Sequence, residues 1–191
     1  MSVWVAFRHP VVLALSLSYF LINTSGYAIN IWLPKMVQQF PGLTTMQVTL
    51  VYSIPALCAI PAMLLVGWHS DRTGERKWHA ALAAIAAGAG LGLSQAFAGT
   101  PVLVTASFAV AVMGVMSYYP PFWVLPTRLL DDSCAAASFG FINLIANFGG
   151  FAGPYMVGFL TDRTGTFVAG VLFLVGTALM SGVILMFFRQ R

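Results

Sequence analysis

Residues 67–77 read Gly67-Trp68-His69-Ser70-Asp71-Arg72-Thr73-Gly74-Glu75-Arg76-Lys77, and residues 158–165 read Gly158-Phe159-Leu160-Thr161-Asp162-Arg163-Thr164-Gly165. Both contain the pattern G-x-x-x-D-R-T-G, and the two copies lie 91 residues apart. A single charged turn of this kind is a generic hairpin between helices. Two copies at a fixed interval are an internal repeat, and a repeat governs the reading of everything around it. Each copy ends a long apolar run.

Such runs recur six times, near residues 11–34, 45–68, 78–97, 102–125, 135–160 and 167–188. A hydrocarbon core of ~30 Å takes about 20 helical residues to cross, which each run supplies. The runs are continuous, whereas a barrel strand would show about 10 residues of alternating pattern. Composition points the same way. Charged residues make up 7% of the chain and hydrophobic ones 59%, with a mean hydropathy of +0.87. A soluble domain carries roughly 25% charged residues, so this chain cannot cover a water-facing surface. Pro10 opens the first run and Pro34 closes it, while Pro41-Gly42 and Gly99-Thr100-Pro101 form turns. Trp4, Trp32, Trp68 and Trp78 fall near span ends, where amphipathic rings favour the headgroup region. With no linker or soluble segment between runs, the reading is one all-α transmembrane bundle of six helices.

Charge orients it. With the N-terminus inside, Arg8, Arg72, Arg76, Lys77, Arg128, Arg189 and Arg191 lie on the cytoplasmic side, against Lys35 and Arg163 outside. This positive-inside bias predicts both termini in the cytoplasm and a multi-pass protein of the plasma (inner) membrane. The first repeat copy then faces the cytoplasm and the second the exterior. Two three-helix units of opposite orientation form an inverted repeat, the plan of many secondary transporters. In the motif itself, Gly67 admits a neighbouring helix, Asp71 meets a helix N-terminus, and Gly74 reverses the chain. Arg72 completes the motif's charged pair, and Arg76 and Lys77 are expected to hold the loop at the anionic membrane face. The sequence pI near 9.4 does not indicate nucleic acid, because the basic residues are scattered through short loops. Cys58 and Cys134 fall at different depths and are not expected to pair.

The signature Gly67…Asp71-Arg72-Thr73-Gly74-Glu75-Arg76-Lys77 resembles the loop of the major facilitator superfamily, in the form found between its helices eight and nine. It departs at Glu75, where that signature prefers a basic residue. Three further stretches resemble the anion:cation symporters within that superfamily: Tyr19-Phe20…Gly26-Tyr27…Trp32-Leu33-Pro34, Pro120-Pro121-Phe122-Trp123…Pro126-Thr127, and Asn143…Asn147-Phe148-Gly149-Gly150-Phe151-Ala152-Gly153-Pro154-Tyr155. The resemblance covers essentially the whole chain, as helices seven to twelve of a twelve-helix fold. It implies half of a major facilitator fold, carrying small organic anions such as sugar acids or carboxylates by symport, mostly with protons. It also implies Asn143 and Trp123 as substrate contacts.

Polar groups inside a bilayer need a partner or an aqueous cavity. Tyr19, Asn23, Tyr27 and Asn30 follow one another at helical spacing in the first span, and Asn143 and Asn147 do so in the fifth. Trp123 follows Pro120-Pro121, which remove two backbone donors. The expected cavity lining is therefore Tyr19, Asn23, Tyr27, Trp123, Asn143 and Asn147, with interhelical hydrogen bonding as the alternative role for each. No acid or base falls within the core of any span. The resemblance implies that the titrating carboxylate and attracting cation of a proton-coupled anion carrier lie in an N-terminal six-helix half, absent from this chain, supplied by another chain, or replaced by a second copy of this one. The alternatives are a truncated, non-transporting membrane protein and a half-transporter that needs its partner. His9, His69 and His79 lack metal-ligand spacing, no hydrolase motif occurs, and no cofactor or enzyme activity is expected.

Overall fold

The computed structural model describes residues 8–38, 40, 44–129 and 132–188. The expected turn at Pro41-Gly42, the interfacial Trp4, and Arg189 and Arg191 lie outside them, as does the side chain of Arg128. Among the described residues the chain forms helices α1 (Pro10–Gln38), α2 (Thr45–Thr73), α3 (Lys77–Ala96), α4 (Pro101–Leu129), α5 (Asp132–Asn147), α6 (Gly149–Thr164) and α7 (Val168–Met186). Five of them, α1 to α4 and α7, are long and apolar enough to cross a membrane. Helices α5 and α6 have 16 residues each, short of the ~20 a crossing requires, and together they make the fifth span.

That span was expected as one run and is instead interrupted at Phe148. Phe148 N–H bonds Ile145 O and Phe151 N–H bonds Phe148 O, both three residues back, so the helix tightens there. The cause is packing. A Cβ on Gly149 would lie 2.7 Å from Phe20 O, and one on Gly153 would lie 2.0 Å from Thr24 O. Backbone meets backbone where α6 crosses α1, as small residues allow in membranes. Farther along, Trp32 Nε1 donates to Pro154 O at 3.0 Å. Pro34, expected to end the first helix, does not: α1 runs on to Gln38.

The repeat has a physical basis in both copies. Gly74 (φ 69°) and Gly165 (φ 72°) are left-handed C-caps of α2 and α6, and are the described residues with positive φ. Only glycine enters that region without steric cost. Gly67 faces Pro120 of α4 and Gly158 faces the Trp32 ring of α1. The packing repeats accordingly: α2 lies on α4 as α6 lies on α1, and α3 lies on α4 as α7 lies on α1. Helices α3 and α7 pack on each other at the seam, where Leu179 fills the space a Gly88 side chain would need. Gly88 and Leu179 are themselves 91 residues apart, so the axis relating the two triplets passes near their contact. The fold is a six-crossing bundle of two inverted three-helix repeats.

Buried hydroxyls knit the crossings. Ser18 Oγ lies 2.8 Å from Tyr118 Oη and 3.0 Å from Ser181 Oγ, joining α1, α4 and α7. Ser25 and Thr177 share a bond of 2.8 Å. These groups have partners inside the bundle, as burial in lipid demands.

Candidate functional site

The strip where α1, α4 and α5 meet is built from aromatic rings and amides. Tyr19 is packed among Tyr119, Phe122 and Trp123, with ring centroids 5.9, 5.0 and 5.0 Å away. Trp123 stacks on Phe139 of α5 at 5.5 Å. One turn beyond Phe139, Asn143 and Asn147 pair along the exposed face of α5. Asn147 Nδ2 donates to Asn143 O at 2.8 Å and to Asn143 Oδ1 at 3.1 Å. Tyr27 of α1 has its ring 3.4 Å from where a Gly150 side chain would begin, and stays 44% exposed, which leaves it open to a ligand.

Asn23 takes a different place. It is 4% exposed, its Nδ2 donates to Ala146 O at 3.3 Å, and its Oδ1 accepts from Tyr119 Oη at 3.1 Å. It is a strut tying α1 to α4 and α5, the interhelical alternative. Tyr19 is likewise buried. Asn30 is exposed and donates to Gly26 O at 2.9 Å, within its own helix. Tyr119 was not among the expected residues. Its position four before Trp123 was the available signal, since both fall on one helical face. The open surface is thus carried by Tyr27, Asn143 and Asn147, with Trp123 half-buried beside them.

The signature loop is structured by its own charges. Arg76 is buried, and its Nη1 pairs with Asp71 Oδ1 and donates to Ser70 Oγ at 3.1 Å. Asp71 therefore meets a guanidinium, that of the residue at the N-cap of α3. Arg72 lies over the Trp68 ring, 5.4 Å from its centroid. Lys77 Nζ donates to Met186 O and Phe188 O, at 3.2 and 2.8 Å, capping the end of α7. Arg76 and Lys77 are thus turned to protein partners. Glu75, the departure from the signature, accepts from Trp78 N at 2.8 Å and His79 N at 3.2 Å, capping α3. Burial pushes its carboxyl up, but those bonds and the His79 ring outweigh it and hold the group below its ordinary range.

An all-α membrane bundle of two inverted triplets is the half-molecule plan of secondary carriers. Comparison places it further. The sequence profile of the Major Facilitator Superfamily matches residues 1–154. The chain belongs to that superfamily. It is 39% identical over 173 residues to the "Putative tartrate transporter" of Agrobacterium vitis, covering 91% of this chain and 38% of that protein. It is 34% identical to the "Quinolone resistance transporter" of Acinetobacter baumannii, over 94% of this chain and 41% of that protein. To the "Probable galactarate/D-glucarate transporter GudP" of Bacillus subtilis (strain 168) it is 25% identical, over 85% and 37%. The chain spans about two fifths of the length of these relatives. With its apolar helices of crossing length, this chain is an integral membrane protein of that superfamily.

Proposed function

We propose that this bundle is one half of a secondary carrier for a small organic anion, a tartrate-like dicarboxylate or sugar acid, working by alternating access. The observation that carries the reading is the open amide and aromatic strip of Tyr27, Asn143, Asn147 and Trp123. Amide N–H groups suit carboxylate and hydroxyl oxygens, and an indole supplies an apolar wall. The names of two relatives, a tartrate and a galactarate/glucarate transporter, support this substrate class.

The opposite wall of the cavity comes from a second six-helix bundle against which this one rocks. That bundle also holds the coupling carboxylate and the cation that draws the anion, because no span core here contains an acid or base. The coupling ion is a proton. The chain sits in the inner membrane with both termini cytoplasmic, so the loop at Gly74 faces inward and that at Gly165 outward.

The test is uptake of labelled tartrate under a pH gradient into proteoliposomes holding this chain with the part of the Agrobacterium relative that this chain does not match. Asn143→Ala should raise KM about tenfold, the equivalent of ~1.4 kcal/mol for a lost amide contact. Unchanged uptake and KM would remove Asn143 from the site.

A further inference from the structure

The α2–α3 turn holds a cluster that neither the cavity nor the repeat uses. His69, near the end of α2, and His79, in the first turn of α3, face each other with Nδ1 and Nε2 at 2.7 Å. The other nitrogen of His79, Nδ1, lies 2.8 Å from Glu75 Oε2. Glu75 is thereby linked through His79 to His69. At the corresponding positions of the second repeat stand Leu160, Gly170 and Thr166, so the cluster is an addition to one copy of the fold.

We propose that Glu75, His79 and His69 form a proton-binding site that ties α2 to α3 while it holds no more than one excess proton and parts when it takes a second. The count follows from the geometry. The carboxylate accepts, so His79 Nδ1 carries a hydrogen. An N···N contact of 2.7 Å exists only with one hydrogen between the two nitrogens. These two hydrogens leave both rings neutral. A third enters at His69 Nε2 and puts one positive charge on the pair, opposite the Glu75 carboxylate. A fourth places hydrogens on both facing nitrogens, and two imidazolium rings cannot keep that contact.

Among the described residues, the neighbours leave this balance to the three residues. Asp71 is taken by Arg76, Arg72 lies over Trp68, and Lys77 is bonded to α7 carbonyls. The α4 wall beside His79 presents Val110, Met113, Gly114 and Ser117, none of them charged. Glu75 is held ionised below its ordinary range, against burial, by its bonds to Trp78 and His79, so it remains an acceptor while the histidines titrate.

The experiment is NMR of the full chain in lipid nanodiscs with 15N-labelled histidine, from about pH 8.5 to about pH 4.5. Three rings report, and the exposed His9, outside the cluster, is the internal reference. The His69 and His79 signals are expected to change together in coupled steps, because the two rings share one hydrogen. Coupling across the N–H···N bond is expected at neutral pH and lost below the second step. Glu75→Gln should lower proton affinity in the first step about tenfold, moving that step down by about one unit. Independent single steps for His69 and His79, or no coupling across the bond at any pH, overturns the proposal. The wild-type titration alone decides if the variant does not fold.

Discussion

Replacing Gly153 by alanine would place a methyl carbon 2.0 Å from the Thr24 carbonyl oxygen. A comfortable contact of that kind is ~3.3 Å, so α6 must retreat from α1 by about 1 Å. No flexible side-chain tip is there to yield, because the obstructing atoms are the backbone of Thr24. Overpacking of this kind costs about 1–3 kcal/mol. The retreat also weakens the Trp32 bond to Pro154 O, and interhelical bonds of this type average ~0.6 kcal/mol. The expected loss is about 3 kcal/mol. Unfolding in mixed micelles with increasing SDS, followed by tryptophan emission, measures it. Gly176→Ala is the matched control, because nothing lies within 4 Å of its added carbon. There alanine gains up to about 1 kcal/mol of helix propensity. Equal stability for the two variants would refute the close-crossing account of the α1–α6 contact.

Other outcomes follow from single contacts. Asn23→Leu should destabilise the bundle by about 1 kcal/mol in the same assay, since it cuts the links to Tyr119 and Ala146. Lys77→Met should speed amide exchange in the last turn of α7, which loses the cap on Met186 and Phe188 carbonyls; unchanged exchange there would count against the cap. Glu75 is depressed in the folded state, so its stabilisation is fully present above its unfolded value near ~4.3. That contribution is lost as pH falls through the lower folded value, and Glu75→Gln should abolish this part of the acid-side slope in the SDS assay. Cysteines placed at Thr73 and Thr164 should react with impermeant maleimide from opposite sides of the membrane; labelling from one side would contradict the inverted repeat.

The parts of the fold legible in the sequence were those with local causes. Gly74 and Gly165 act as left-handed caps within a few residues of chain, and apolar runs of crossing length declare themselves. Spacing alone placed Asn143 and Asn147 together, because residues four apart share a helical face. What escaped the sequence depends on distant partners. The interruption at Phe148 is set by the α1 backbone, and the strut role of Asn23 by Tyr119 and Ala146. Pro34 misled for the same reason. Pro34, expected to close the first span, lies inside a continuous helix, where tertiary packing outweighs its local preference to break. Likewise His69 and His79, ten positions apart in sequence, meet because Gly74 turns the chain between them.

The central claim is that this bundle supplies one wall of a carrier's cavity and needs a second bundle to work. Tartrate uptake under a pH gradient tests it, comparing proteoliposomes that hold this chain alone with others that also hold the part of the Agrobacterium relative that this chain does not match. The account predicts uptake with both bundles and none with this chain alone. Uptake by this chain alone, or none from a verified pairing of the two, would contradict it.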